Sequence, residues 1–152
     1  MAERTPTRII ALMNQKGGVG KTTTTVNLAA GFAQAGRPTL VIDLDPQAHA
    51  SLHLGVDPRE LGGSVYDILI DPTLDPASVI REVKPNLWLL RSETALAAIE
   101  TELAGEPDRQ NRLIRALDRL GPRFDFVLLD CPPSLGLLTI NGLVAAREVI
   151  IP

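Results

Sequence analysis

Short apolar runs rich in β-branched residues recur along the chain at residues 8–13, 39–43, 87–90, 124–129 and 148–151. None alternates polar with apolar, as a strand with one wet face would, so each reads as a strand covered on both sides. Longer patterns of helical character separate them. Residues 22–35 read as a helix closed by Gly36, with Pro38 just beyond as a stop. Residues 66–70 form a candidate short helix inside a loop-rich stretch, 57–76, that holds Gly62, Gly63, Pro72 and Pro76. Residues 95–104 and 108–120 are predicted helices divided by Gly105 and Pro107, and residues 135–146 supply another. Strands alternating with helices predict an α/β fold built on one parallel sheet with helices on its faces.

Composition narrows this picture. The 152 residues are 45% hydrophobic and 22% charged, with a net charge of −3, which suits one soluble domain of roughly 150 residues. A disordered tail and a polycation that coats nucleic acid by bulk charge are both excluded. With 3% aromatic residues, the core is built from Ala, Val, Ile and Leu, as in a buried parallel sheet rather than a base-stacking platform. A single cysteine, Cys131, rules out an intrachain disulfide framework and a self-contained cysteine metal site. Residues 1–8 lack the apolar stretch of a signal peptide. The longest uncharged run, 131–146, contains Pro132 and Pro133 and falls short of the roughly 20 residues of a membrane span. A cytoplasmic protein with no membrane partner is the expectation. The sequence finishes on the apolar run Val149-Ile150-Ile151-Pro152, where a domain more often finishes polar or capped.

The chemistry concentrates in three segments. Asn14-Gln15-Lys16-Gly17-Gly18-Val19-Gly20-Lys21-Thr22-Thr23 lies between the first strand and the first helix. That is the setting of a phosphate-binding loop: glycines let successive backbone N–H groups face an anion, and the helix start adds its positive dipole end. Lys21 would reach the β- and γ-phosphates, and the Thr22 hydroxyl would ligate Mg2+. The alternative is a plain glycine-rich turn. The usual loop carries glycine five residues before its Gly-Lys pair, whereas this chain has Gln15 there, followed by a second lysine, Lys16. Next, Val41-Ile42-Asp43-Leu44-Asp45-Pro46-Gln47 puts two carboxylates at i and i+2, on one side of a strand's C-terminal end. There they can hold the hydration shell of Mg2+ or orient an attacking water, or they are simply solvated acids in a turn. Phe126 to Ser134 is a second apolar strand that finishes in an acid, Asp130, followed by Cys131-Pro132-Pro133-Ser134. Asp130 would accept hydrogen bonds from Mg2+-bound water while the Pro-Pro turn stiffens the adjoining backbone.

The Lys16-to-Thr22 segment resembles the deviant Walker A motif of the ParA/MinD family of ATPases. The Asp-x-Asp-Pro-Gln and Asp-x-Pro-Pro-Ser segments, with Thr139-Ile140-Asn141 after them, match that family in the same order. Asp45-Pro46-Gln47 and Cys131-Pro132-Pro133-Ser134 place the resemblance with the ParA/Soj branch of partition proteins. The resemblance implies a P-loop NTPase-like fold with ATP and Mg2+ as cofactors, bound through Lys16, Gly17, Gly18, Val19, Gly20, Lys21, Thr22 and Thr23. It implies that Thr22, Asp43 and Asp130 serve the metal and that Lys16, Lys21 and Asp45 serve catalysis. In that scheme Lys16 acts across a nucleotide-sandwich homodimer and Asp45 orients water. It further implies non-specific DNA and a ParB-like activating protein as partners in chromosome or plasmid partitioning. Residues 1–152 are then the N-terminal portion of a single ParA-like domain, without the C-terminal strands and helices of the family. The alternatives are a non-catalytic nucleotide-binding fragment and a MinD-like ATPase cycling on membranes, whose C-terminal amphipathic helix this sequence lacks.

Other signals are weaker. Arg109, Arg112, Arg115 and Arg119 would share one helix face, as a stripe for DNA phosphates or, more commonly, a solvated face paired with acids such as Asp108 and Asp118. Cys131 and Trp88 read as packed core residues. His49 and His53, four apart, have no third ligand in view.

Overall fold

The computed structural model describes residues 5–14 and 20–152. Six strands form one sheet in the order β3-β4-β2-β5-β1-β6. They are β1 (Arg8–Leu12), β2 (Thr39–Asp43), β3 (Arg81–Lys84), β4 (Leu87–Leu90), β5 (Phe126–Asp130) and β6 (Glu148–Ile150). The α-helices are α1 (Lys21–Gln34), α2 (His49–His53), α3 (Val65–Ile70), α4 (Ile99–Glu102), α5 (Arg112–Leu120) and α6 (Leu137–Ala145). Every residue of β2 and β5 is buried, because both sheet faces are covered. On one face Ile10, Leu12, Val41, Leu89 and Leu128 pack with Ala29 and Ala33 of α1 and Ala50 of α2. On the other, Ile9, Ala11, Leu40, Ile42, Val127 and Leu129 pack with residues of α3, α4, α5 and α6. The alternation within each strand delivers its side chains to these two layers in turn. This is an α/β, P-loop NTPase-like sheet, mostly parallel and flanked by helices on both faces.

Strand β1 leads through α1 over one face to β2, and β5 leads through α6 over the other to β6. Since β1 and β5 are neighbours, the two crossovers diverge from adjacent strands, the arrangement that opens a crevice at strand C-termini. Residues after β1, β2 and β5 therefore converge at one end of the sheet.

The sheet departs from the expected all-parallel arrangement at one edge. The strand β3 pairs antiparallel with β4 through a two-residue turn in which Asn86 adopts a left-handed φ of 63°. Its sequence, Arg81-Glu82-Val83-Lys84, is mostly exposed, and charges on an edge strand oppose further pairing. The predicted strand 124–129 is shifted to Phe126–Asp130, with Phe124 buried in the turn before it. The helix expected over 95–104 divides into a 3-10 turn, Thr94–Ala98, and the short α4. The one over 108–120 begins as a 3-10 turn, Arg109–Asn111. Trp88 is partly buried rather than enclosed, and meets Phe124 edge-to-face at 5.3 Å between ring centroids. Exposed apolar side chains gather on α6 at Ile140, Leu143 and Val144, and near β6 at Val149 and Ile151.

Asn141 joins α6 to the start of α5. Its side chain is 1% exposed; Oδ1 accepts from the Leu113 backbone N–H at 3.1 Å, and Nδ2 donates to the Arg109 and Leu137 carbonyls, each at 3.0 Å. An apolar substitute would leave a buried N–H and carbonyl without partners, a cost of about 1–3 kcal/mol. Asn141→Leu is accordingly expected to lower stability by about 2 kcal/mol, read as a lower midpoint of thermal or urea unfolding.

Candidate functional site

Asp130, at the end of β5 and fully buried, organises the convergence point. Its Oδ1 accepts from Lys21 Nζ at 2.6 Å and its Oδ2 from the Thr22 hydroxyl at 3.0 Å. The buried Thr25 hydroxyl lies 3.2 Å from Oδ1, one helical turn further along α1. The helix start that presents Lys21 and Thr22 follows Gly20, whose φ of 81° lies in the left-handed region where glycine carries no Cβ penalty. Lys21, Thr22 and Asp130 are thus brought together as the sequence predicts. Thr23 is exposed on the same first turn. Lys16, Gly17, Gly18 and Val19 lie outside the described residues.

Asp43 stands beside Asp130 on the paired strand β2 and is also fully buried. Its Oδ2 accepts from the Ser51 N–H at 2.9 Å and the Ser51 hydroxyl at 2.8 Å, and Oδ1 accepts from the Asp45 N–H at 3.1 Å. Burial pushes the Asp43 carboxyl up to about 7; the Ser51 and Asp45 hydrogen bonds pull it down, and the neighbouring Asp130 charge adds to the rise. Asp45 is 8% exposed, and its Oδ1 accepts from the Gln47 N–H at 3.0 Å. Past Asp130, the Thr139 hydroxyl donates to the Ser134 carbonyl at 2.5 Å and ties the proline turn to α6. The Glu100 carboxylate accepts from the Leu137 N–H at 2.5 Å at the start of that helix. A cleft of about 380 Å³ opens alongside, lined by Met13, Asn14, Pro132, Pro133, Ser134, Leu135 and Ile151.

The donor set fits a hard divalent cation. The Thr22 hydroxyl and the Asp130 carboxylate are gathered at the ends of neighbouring elements, the oxygen chemistry that Mg2+ takes, while both Asp43 oxygens already accept from Ser51 and Asp45. Lys21 is the cation already paired with Asp130 there.

Sequence reasoning missed Arg91 and Ser92. Arg91 is 2% exposed and donates through Nη1 to the Pro58 and Ser92 carbonyls and through Nη2 to those of Glu60 and Gly62. It pins the loop after α2 to the end of β4. The signal was present, since β4 is a fully apolar run followed at once by a charged and a hydroxyl residue, just as β2 and β5 finish in acids. Three of the four arginines of the predicted stripe make contacts within the chain, although Arg109, Arg115 and Arg119 remain exposed. Arg112 donates to the Leu69 and Ile70 carbonyls, Arg119 donates to the Leu74 carbonyl, and Arg115 pairs with Asp108 at 2.6 Å. The Cys131 thiol is buried, and desolvation pushes it up to about 12, which makes it a packed rather than a reactive group. His49 and His53 are exposed on α2, where the His53 ring bonds the His49 carbonyl.

A helix start bearing Lys-Thr, set against two carboxylate-ended parallel strands, defines the class: an α/β protein of the P-loop NTPase type. A family model described as an AAA domain matches residues 7–152, and the chain belongs to that family. Its relatives lie in the ParA/Soj branch. The chain is 46% identical over 146 residues to the sporulation initiation inhibitor protein Soj of Bacillus subtilis, covering 95% of this chain and 57% of that protein. It is 44% identical over 146 residues to the chromosome partitioning protein ParA of Myxococcus xanthus, covering 95% and 51%. The chain thus spans about half the length of these curated relatives. Among solved structures it superimposes on the cobyrinic acid a,c-diamide synthase from Mycobacterium smegmatis with bound ADP and magnesium. That match has a TM-score of 0.92 at 43% identity, over 96% of this chain and 59% of that one. A McdA–ATP complex from Cyanothece matches at 0.88 and 26% identity, over 98% and 57%.

The raised Asp43 carboxyl sets a pH dependence for the nucleotide-free protein. Between its ordinary value near 4 and about 7, the unfolded chain has given up this proton while the folded chain keeps it. The Asp43 contribution to stability is therefore fully present below pH 4 and is lost as pH rises through 7. Unfolding of wild type and Asp43→Asn at pH 4, 5.5 and 8 should show the difference moving in favour of the variant as pH rises, whatever its sign at pH 4. A difference independent of pH would contradict it.

Proposed function

We propose that the protein is a Mg2+- and ATP-dependent switch ATPase of chromosome or plasmid partitioning. The observation that carries this reading is the Asp130 carboxylate holding Lys21 and Thr22 at 2.6 and 3.0 Å, beside Asp43 at the end of β2. Lys21, Gly20, Thr22 and Thr23, with Lys16, Gly17, Gly18 and Val19 before them, bind the phosphates. Thr22, Asp130 and Asp43 hold the metal through its oxygen or water ligands. When bound, Mg2+ neutralises charge on the β- and γ-phosphates. Lys21 leaves Asp130 for the phosphates, one anionic partner replacing another. Asp45, whose carboxylate accepts from the Gln47 N–H, orients the attacking water. Lys16 stabilises the transferring phosphoryl group from the opposite subunit, which makes hydrolysis conditional on an ATP-driven homodimer.

The relatives named Soj and ParA support placing this chemistry in partitioning. On that reading the intact cytoplasmic protein binds DNA without sequence preference as an ATP-bound dimer, and a ParB-like activating protein resets it by stimulating hydrolysis. No described helix is long and apolar enough to cross a membrane. The chain contributes the phosphate side of a ParA-like domain.

ATP turnover and ATP binding of wild type, Lys21→Ala and Asp45→Ala test the assignment. Lys21→Ala is expected to lose both. Asp45→Ala is expected to keep binding while turnover falls about a hundredfold or more. Equal turnover in all three would overturn the mechanism.

A further inference from the structure

Asp45 is held by a closed circuit of hydrogen bonds through Asp43 and two serines, Ser51 and Ser92, that have no assigned role. The Asp45 N–H donates to Asp43 Oδ1 at 3.1 Å. The Ser51 hydroxyl donates to Asp43 Oδ2 at 2.8 Å and accepts from the Ser92 N–H at 3.1 Å. The Ser92 hydroxyl closes the circuit by donating to the Asp45 carbonyl at 2.6 Å. Asp43, Ser51 and Ser92 are all fully buried, so water cannot stand in for a missing member. The circuit links three separate elements: the end of β2, α2, and the residues after β4.

The turn it encloses is strained. The Asp45 carbonyl also accepts from the Ala48 N–H at 2.9 Å, and Ala48, with φ 59°, sits in the left-handed region that an alanine rarely adopts. Such a conformation persists only where the surroundings over-determine it. Here those surroundings are the Asp43 carboxylate on one side and the Ser92 hydroxyl on the other. Arg91, locked among four carbonyls immediately before Ser92, keeps the far side from moving.

We infer that Ser51 and Ser92 are positioning residues that act through Asp45: the Ser51 hydroxyl, holding Asp43 and the Ser92 N–H, and the Ser92 hydroxyl, holding the Asp45 carbonyl, fix the backbone that carries the Asp45 carboxylate. This rests on the reading of Asp45 as the water-orienting residue. A serine pair that merely satisfied buried polar groups would affect the stability of the whole domain. A pair that positions Asp45 affects the 45–48 turn and the hydrolytic step while leaving ATP affinity alone.

The test uses Ser92→Ala and Ser51→Ala, each with two readouts. In the nucleotide-free protein, amide hydrogen exchange at Asp45 and Ala48 should rise about tenfold relative to wild type, with Val127, Leu128 and Leu129 in β5 unchanged. In single-turnover hydrolysis, each variant should lose about tenfold in rate at saturating ATP with its ATP dissociation constant within about twofold of wild type. Adding Ser92→Ala to Asp45→Ala should cost nothing further, because the residue acted upon is gone. Ser92→Thr, which keeps the hydroxyl, should restore the exchange pattern and rate. Unchanged exchange at Asp45 and Ala48 in both alanine variants would overturn the inference. So would faster exchange with undiminished turnover, or an equal loss of rate in the Asp45→Ala background. A wild type that binds ATP without hydrolysing it would instead overturn the ATPase reading, and the exchange comparison would still decide whether the serines hold the turn.

Discussion

A carboxylate with no exposed surface at the end of a central strand has to be paired, and the pairing of Asp130 determines much of what surrounds it. Its two oxygens hold Lys21 and Thr22 and lie against Thr25, so they fasten the start of α1 to the middle of the sheet. Removing one partner of a buried pair leaves an uncompensated charge, at about 3–5 kcal/mol. Lys21 is 10% exposed at its side chain, so its partner must be anionic in every state of the site. A nucleotide's phosphates meet that requirement as well as Asp130 does. On the proposed reading, the interaction that stabilises the domain is therefore also the one that nucleotide binding would exchange.

The same logic extends along the C-terminal edge of the sheet. Strand β2 presents Asp43 beside Asp130, and two buried acids at adjoining positions stay there only because each is surrounded by donors. Asp43 takes its donors from Ser51 and Asp45, whereas Asp130 takes them from α1. One acid thus secures the start of α1 and the other secures the turn that carries Asp45. Beyond β4, Arg91 performs a comparable task with the charge reversed, gathering carbonyls rather than N–H groups. The strand ends differ in chemistry, but each fixes the loop that follows it.

Much of this was legible in the sequence, for physical reasons that can be named. The runs at β1, β2, β4 and β5 are largely apolar because the sheet is buried on both faces there, whereas β6, expected to be covered as well, is an edge strand with Val149 exposed. Lys21-Thr22 after Gly20, and acids closing β2 and β5, mark the one end of such a sheet where polar groups can converge. What escaped was set by tertiary contact. The β3 hairpin strand is charged and exposed, and its pattern is that of a loop. The helices after β4 fragment into 3-10 and α turns because local packing overrides propensity. The arginines of this helix read as a phosphate-binding stripe or a solvated face paired with nearby acids, and Arg115 does pair with Asp108, yet Arg112 and Arg119 reach carbonyls 43 and 45 residues away in sequence, partners that no helical periodicity reveals. Ser51 and Ser92, 41 residues apart, meet only when β2 and β4 pair.

A site of this kind should bind nucleotide and metal together. Thermal unfolding at increasing ATP, with and without Mg2+, measures that on the wild-type protein. The account predicts stabilisation that grows with ATP when Mg2+ is present, by about 2.7 kcal/mol once ATP is a hundredfold above its dissociation constant. It predicts much smaller stabilisation when Mg2+ is chelated, and none in Lys21→Ala. An unfolding midpoint indifferent to ATP in the presence of Mg2+, or an equal response in Lys21→Ala, would contradict it.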